Sequence, residues 1–247
     1  MAISVFKRYE KKFLVSKEQY EKLIPRLLEH MDYDEHCVEG SDYTIYNIYY
    51  DTQYNEIITH SISKPYYKEK LRVRSYKSVT DKNQKVFLEL KKKIDSIVSK
   101  RRVILTMKEV ENFINYNQKP IREDYLSNQV IEEIDYFLKR NKVQPAVVIN
   151  YKRVAFFGKE DKDFRLTFDH KINTRRYNFK PANSEYGEDL LEKGQELMEV
   201  KILGAIPLWL THILSDLKIV PASFSKYGNE FKRYCLNANK EGRKEVC

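Results

Sequence analysis

Charged and apolar residues alternate with a period of two in run after run of this chain. In 163–170, Arg165, Thr167 and Asp169 fall on one parity, and Phe164, Leu166 and Phe168 fall on the other. Glu199 and Lys201 oppose Met198, Val200 and Ile202, while Glu89 and Lys91 oppose Val86, Leu88 and Leu90. Arg72 and Arg74 oppose Leu71 and Val73, and near the start Arg8, Glu10 and Lys12 oppose Tyr9, Lys11 and Phe13, less cleanly because of Lys11. Successive side chains of a strand point to opposite faces, so each run reads as a strand with one apolar and one ionic face.

One such strand describes any half-exposed sheet. Repetition changes the conclusion, because a wet face normally mixes Thr, Ser, Gln and Lys, whereas at least five strands here carry Arg or Lys, usually beside Glu or Asp. If helices cover the apolar face, the ionic face lines an interior. Cations facing one another there repel unless carboxylates or a bound anion compensate. A multiply charged phosphate chain does so, with Arg supplying bidentate contacts and Lys point charges.

The other segments fit around these strands. Phe6 to Val15 reads as a strand, followed from Ser16 by an N-capped amphipathic helix with Pro25 inside it. Tyr43 to Asp51 is a β-rich run, and Lys70 to Tyr76, Lys85 to Lys92 and Ile97 to Leu105 are joined by links short enough for an antiparallel meander. Thr106 with Glu109 forms a capping box, and a second helix spans about Glu123 to Arg140. Strands at Ala146 to Phe157, Asp163 to His170 and Glu196 to Leu203 follow, then helices at Pro207 to Leu217 and Tyr227 to Leu236. The expected fold is α+β: a closed eight-stranded antiparallel β-barrel with helices packed outside, formed by residues 1–247 as a single domain.

A net charge of +9 favours an anionic partner. Cys37, Cys235 and Cys247 lack CxxC spacing and leave one thiol unpaired in any disulfide scheme, which fits a reduced cytoplasm. No apolar signal segment and no membrane-spanning run of about 18 apolar residues is present. The five histidines have no metal-binding spacing, and the absence of GxxxxGK[ST] excludes a P-loop. The Tyr46, Tyr49 and Tyr50 group reads as core, and 240–244 as a solvated tail.

The segment from Arg8 to Phe13 resembles the first-strand ExExK signature of the CYTH-like triphosphate tunnel enzymes, with Arg8 in place of the first Glu. More specifically, Arg72-x-Arg74, Glu89-x-Lys91, Lys100-x-Arg102, Tyr151-x-Arg153, Arg165-x-x-x-Asp169, Glu199-Val200-Lys201 and Ser225-Lys226 resemble, in order, the catalytic domain of the vacuolar transporter chaperone (VTC) polyphosphate polymerases. The resemblance implies transfer of the ATP γ-phosphate onto polyphosphate, dependent on a divalent metal, Mn²⁺ or Mg²⁺. It makes Lys12, Arg72, Arg74, Lys91, Lys100, Arg153, Arg165 and Lys226 the catalytic phosphate ligands, and assigns substrate binding to Arg102, Tyr151, Ser225 and Lys201. Glu199 is the implied metal carboxylate, with Glu10 and Glu89 either metal ligands or internal salt-bridge partners. ATP and polyphosphate or triphosphate are the expected partners, with no nucleic acid and with room for a membrane partner. A triphosphatase of the same fold and a non-enzymatic polyphosphate-binding module are the alternatives. A cation at Arg8 weakens a second metal site and favours the polymerase.

Overall fold

The computed structural model describes residues 9–95, 97–182 and 186–240. Arg8, Cys247 and all of the basic tail beyond Lys240 lie outside that range. The elements in order are β1 (Tyr9–Ser16), α1 (Lys17–Leu28), β2 (Met31–Tyr33), β3 (Tyr43–Asp51), α2 (Glu56–Ile62), β4 (Tyr67–Ser75), β5 (Lys85–Ile94) and β6 (Ile97–Thr106). They continue with α3 (Met107–Tyr116), α4 (Tyr125–Arg140), β7 (Gln144–Gly158), β8 (Arg165–Arg175), β9 (Glu188–Asp189), β10 (Gln195–Ile202), α5 (Leu208–Asp216) and α6 (Lys226–Lys240). No helix among the described residues is long and apolar enough to cross a membrane.

Local chemistry sets the boundaries. Ser16 accepts from the Gln19 N–H while the Gln19 side chain accepts from the Ser16 N–H, and Thr106 and Glu109 repeat that reciprocal cap on α3. Asp124 caps α4 through the Ser127 N–H. Pro25 sits inside α1. The short elements α2, β2 and β9 carry too few residues for a periodic signal, and only the structure reveals them.

The chain divides into two compact units. The first comprises Met1–Thr44, Tyr151–Ile172 and Asp189–Ser225; the second comprises Ile45–Asn150, Asn173–Glu188 and Lys226–Cys247. In the first, the apolar parities of β1, β8 and β10 (Phe13, Leu166, Phe168, Met198 and Val200) bury against Leu23 and Leu27 of α1 and Leu210 and Ile213 of α5. In the second, Leu71, Val73, Leu88, Leu90 and Val103 bury against Val110 and Phe113 of α3 and Ile131, Ile134 and Phe137 of α4.

Strand pairing is antiparallel where register is defined, and the order β1-β10-β8-β7-β3-β4-β5-β6 has two ends, with β2 and β9 as side branches on β7 and β8. This corrects the expected closed eight-stranded barrel to an open sheet. Edge chemistry explains the difference. At β1, Ala222 donates its N–H to the Lys12 carbonyl at 2.7 Å and Phe13 bridges Pro221, so a coil segment occupies that edge. Proline lacks the N–H needed to extend the ladder. At β6, the Arg122 side chain reaches the Ile104 carbonyl at 3.4 Å, and consecutive Lys100, Arg101 and Arg102 give the strand the charge that discourages further pairing.

Candidate functional site

Register gathers the charges of the second unit. Lys68, Lys70, Arg72 and Arg74 of β4 stand opposite Lys93, Lys91, Glu89 and Phe87 of β5, which stand opposite Val98, Lys100, Arg102 and Ile104 of β6; Lys85 and Thr106 form the next pair. These rows place nine Lys and Arg on one face with Glu89 the only carboxylate in them. Like charges directly opposite destabilise a sheet, and the Lys70, Lys91, Lys100 row is entirely cationic.

Glu89 organises its neighbours. The Arg72 Nε and Nη2 lie 2.8 and 2.7 Å from its Oε2, the Arg74 Nε is at 3.9 Å, and the Lys100 ammonium is 3.5 Å from Oε1. Burial pushes this carboxyl up, but Arg72, Arg74 and Lys100 outweigh burial and bring it down to about 2. Oε1 is buried and accepts no hydrogen bond among the described residues. Arg72 also donates to the Tyr49 hydroxyl at 2.9 Å, and Arg74 to the Asn47 side-chain Oδ1 at 3.0 Å.

Two adjacent tyrosines measure the field on this face. Burial pushes the hydroxyls of both upward, and Tyr50, on the opposite parity, stays raised. Tyr49 ends below its ordinary value, because Arg72, Arg74 and Lys226 more than cancel the burial penalty. The same field shows in the ammonium groups: burial and then the neighbouring Lys93, Lys64 and Lys91 lower Lys68. The surroundings of Tyr49 therefore favour negative charge.

The first unit holds a different cluster. Glu10 pairs with Lys201 and Lys201 with Arg165 in one row; Lys12 pairs with Glu199 and Glu199 with Thr167 in the next. The Lys12 ammonium lies 3.1 Å from Glu10 and 3.3 Å from Glu199, and Glu199 also faces Arg153 at 3.5 Å and Lys201 at 4.0 Å. Arg153 holds Asp169 bidentately at 2.6 and 2.7 Å, with its guanidinium 5.3 Å from the centre of the buried Tyr151 ring. Arg165, although the row partner of Lys201, makes its contacts elsewhere. It bonds Asp34 at 3.2 Å and stacks over Phe157 at 4.2 Å, with its side chain 40 % exposed.

Ser225 immediately precedes α6 in the first unit, and Lys226, the first residue of α6, is buried in the second. Within the second unit the structure thus groups Arg72, Arg74, Glu89, Lys91, Lys100 and Arg102, with Lys226 acting on Tyr49. In the first it groups Glu10, Lys12, Tyr151, Arg153, Glu199 and Lys201. Sequence reasoning missed Lys68, Lys70 and Lys93, which the same parity contains. It also passed over Tyr49 and Asn47, whose acceptor roles depend on β3 lying beside β4.

Glu196 carries a separate consequence. Its Oε2 is buried without a hydrogen bond among the described residues, and burial, aided by the charge of Asp169, pushes the carboxyl up to about 7. The folded state therefore binds this proton more tightly, and stability falls as pH rises from the unfolded value of 4.5 through about 7. Glu196→Gln should gain about 1–2 kcal/mol at pH 8, discounted for partial exposure, and nothing at pH 4. Urea titrations at both values check this; equal effects at the two pH values would refute it.

The family match gives the class first: a triphosphate-handling protein of the CYTH-like kind. The VTC domain matches residues 7–234, and the chain belongs to the VTC-domain family. No curated protein matches the sequence. Among solved structures, a Bacillus halodurans protein provisionally described as an adenylate cyclase is 16% identical, covering 89% of this chain and 95% of that one with a TM-score of 0.53, which supports the fold alone. A chain of the Schizosaccharomyces pombe Mediator head module is 9% identical over 85% of this chain and 90% of that one, and its TM-score of 0.40 carries no argument.

Proposed function

We propose that this protein is a metal-dependent phosphotransferase that moves the γ-phosphate of ATP onto a polyphosphate chain. The observation that carries the reading is the face of β4, β5 and β6, where nine cations meet one carboxylate. That imbalance calls for a polyanion, and Lys12, Arg153, Arg165, Lys201, Tyr151, Ser225 and Lys226 add further phosphate-binding groups by motif.

A terminal phosphate oxygen of the acceptor attacks Pγ, the bond from Pγ to the β,γ-bridging oxygen breaks, and that oxygen leaves on ADP with the electron pair. The attacking oxygen is already ionised near neutral pH, so the reaction needs positioning and charge neutralisation more than a base. Glu89, brought down to about 2, is a correspondingly poor base. Its role in this reading is to orient Arg72, Arg74 and Lys100.

Mg²⁺ or Mn²⁺ is the implied metal. Among the described residues no group of three or more His, Cys, Asp and Glu is placed to hold one. Glu199 and Glu10 nevertheless share the Lys12 ammonium, and one or two carboxylates, with water and phosphate oxygens completing the shell, is a donor set that Mg²⁺ takes. Bound there, the metal would neutralise charge on phosphate oxygens.

The shared Glu10 and Glu199 site also suits a triphosphatase, the second reading. Purified protein incubated with ATP and Mg²⁺ or Mn²⁺ separates the two. Polyphosphate on a stained gel with matching ADP is expected; orthophosphate alone would establish the hydrolase.

A further inference from the structure

The cationic rows of the second unit are interrupted by apolar residues before the last pair, Lys85 and Thr106. Moving along the paired strands, the rows run Lys68 and Lys93, then Lys70, Lys91 and Lys100, then Arg72, Glu89 and Arg102, and then Arg74 with Phe87 and Ile104. Phe87 is only half-buried and Ile104 is 50% exposed, an unusual outlay of apolar surface beside so many charges. The Arg102 guanidinium lies 4.8 Å from the Phe87 ring centre, and Tyr76 meets the same ring edge-on at 5.7 Å. A cavity of about 540 Å³ opens here, lined by Phe87, Arg102 and Ile104 from the sheet and by Glu109, Arg122 and Ser127 from the helical side. That volume falls in the range of small-molecule sites, roughly 300–1,000 Å³. Arg122 is held on both oxygens of Glu109 at 2.8 Å, so one wall is a closed ion pair and not a second phosphate clamp.

We propose that this cavity binds the nucleoside end of a nucleoside triphosphate, with the base stacked on the outer face of the Arg102 guanidinium that Phe87 backs and the phosphates extending over the lysine and arginine rows. The inference rests on the phosphotransferase reading and adds to it a direction: the base end lies at Phe87, and the far end of the phosphate chain points toward Lys68 and Lys93. A planar guanidinium held flat by an aromatic ring behind it is a surface on which nucleobases stack, and stacking accepts any base because every base has a π-face. Inorganic phosphate chains have nothing to place there.

Calorimetric titration tests this with two probes, the β,γ-imido analogue of ATP and inorganic tripolyphosphate, each with Mg²⁺. Phe87→Ala should weaken the nucleotide analogue about tenfold and leave tripolyphosphate within about twofold, while Phe87→Trp should restore nucleotide affinity. Equal weakening of both probes, or no change in either, overturns the nucleoside site and leaves the phosphate-binding reading standing. Failure of the wild-type protein to bind either probe overturns both.

Discussion

Glu199→Gln should lower turnover at least about 100-fold, a loss near 2.7 kcal/mol of transition-state stabilisation. The substitution keeps the shape of the side chain and removes the charge that faces Lys12, Arg153 and Lys201 at 3.3, 3.5 and 4.0 Å. Losing the carboxylate leaves those cations less compensated. Affinity for tripolyphosphate without metal should therefore hold or tighten while turnover collapses, and added Mn²⁺ should recover little. Measuring both quantities on one preparation separates a metal carboxylate from a structural one. Unchanged turnover would remove Glu199 from the reaction; weakened metal-free binding would make it a structural anchor.

The second large effect lies with Arg153. Asp169 is fully buried and accepts two short hydrogen bonds from this guanidinium, at 2.6 and 2.7 Å. Removing one partner of a buried pair strands the other charge, at a cost of about 3–5 kcal/mol. Arg153→Ala should lose that much in urea unfolding, and the melting temperature should drop by on the order of 10 °C. Arg153→Lys should fall between, because an ammonium keeps the charge without the planar fork. The double variant Arg153→Ala with Asp169→Ala should regain most of the stability, since neither charge is then left alone. If the double variant is stable and inactive, Arg153 also binds phosphate; if it is stable and fully active, the arginine serves only the fold. A single variant within about 0.5 kcal/mol of wild type would show that Asp169 finds another partner.

Arg165 illustrates how a parity argument can be right about the strand and incomplete about the side chain. Alternation predicts that Arg165 faces with Thr167 and Asp169, and its row partner Lys201 agrees. Its actual partner, the buried Asp34, comes from the segment after β2, and no local pattern announces that meeting. A substitution at Arg165 therefore also takes the guanidinium from the buried Asp34 carboxylate, which keeps the His36 N–H on its other oxygen.

Strand parity, the N-cap at Ser16, the capping box at Thr106, the position of β3 and the sets of ionic and apolar faces could be read from the sequence, because each follows from backbone geometry within a few residues. What pairing distributes could not. The register between β4, β5 and β6 puts nine cations on the face that holds Glu89, and that between β1, β8 and β10 sets Glu199 beside Lys12 and Lys201. Glu196, only half-buried, lies on the parity of Met198, Val200 and Ile202, and the burial of its Oε2 follows from packing and not from the alternation. Closure was the plainest case: alternation is the same in an open sheet and a barrel, and the outcome turned on whether the edges of β1 and β6 met another strand. A coil at Pro221 and Ala222 occupies the first edge and a side chain from Arg122 reaches the second. Such meetings join residues far apart in the chain, and only tertiary packing decides them.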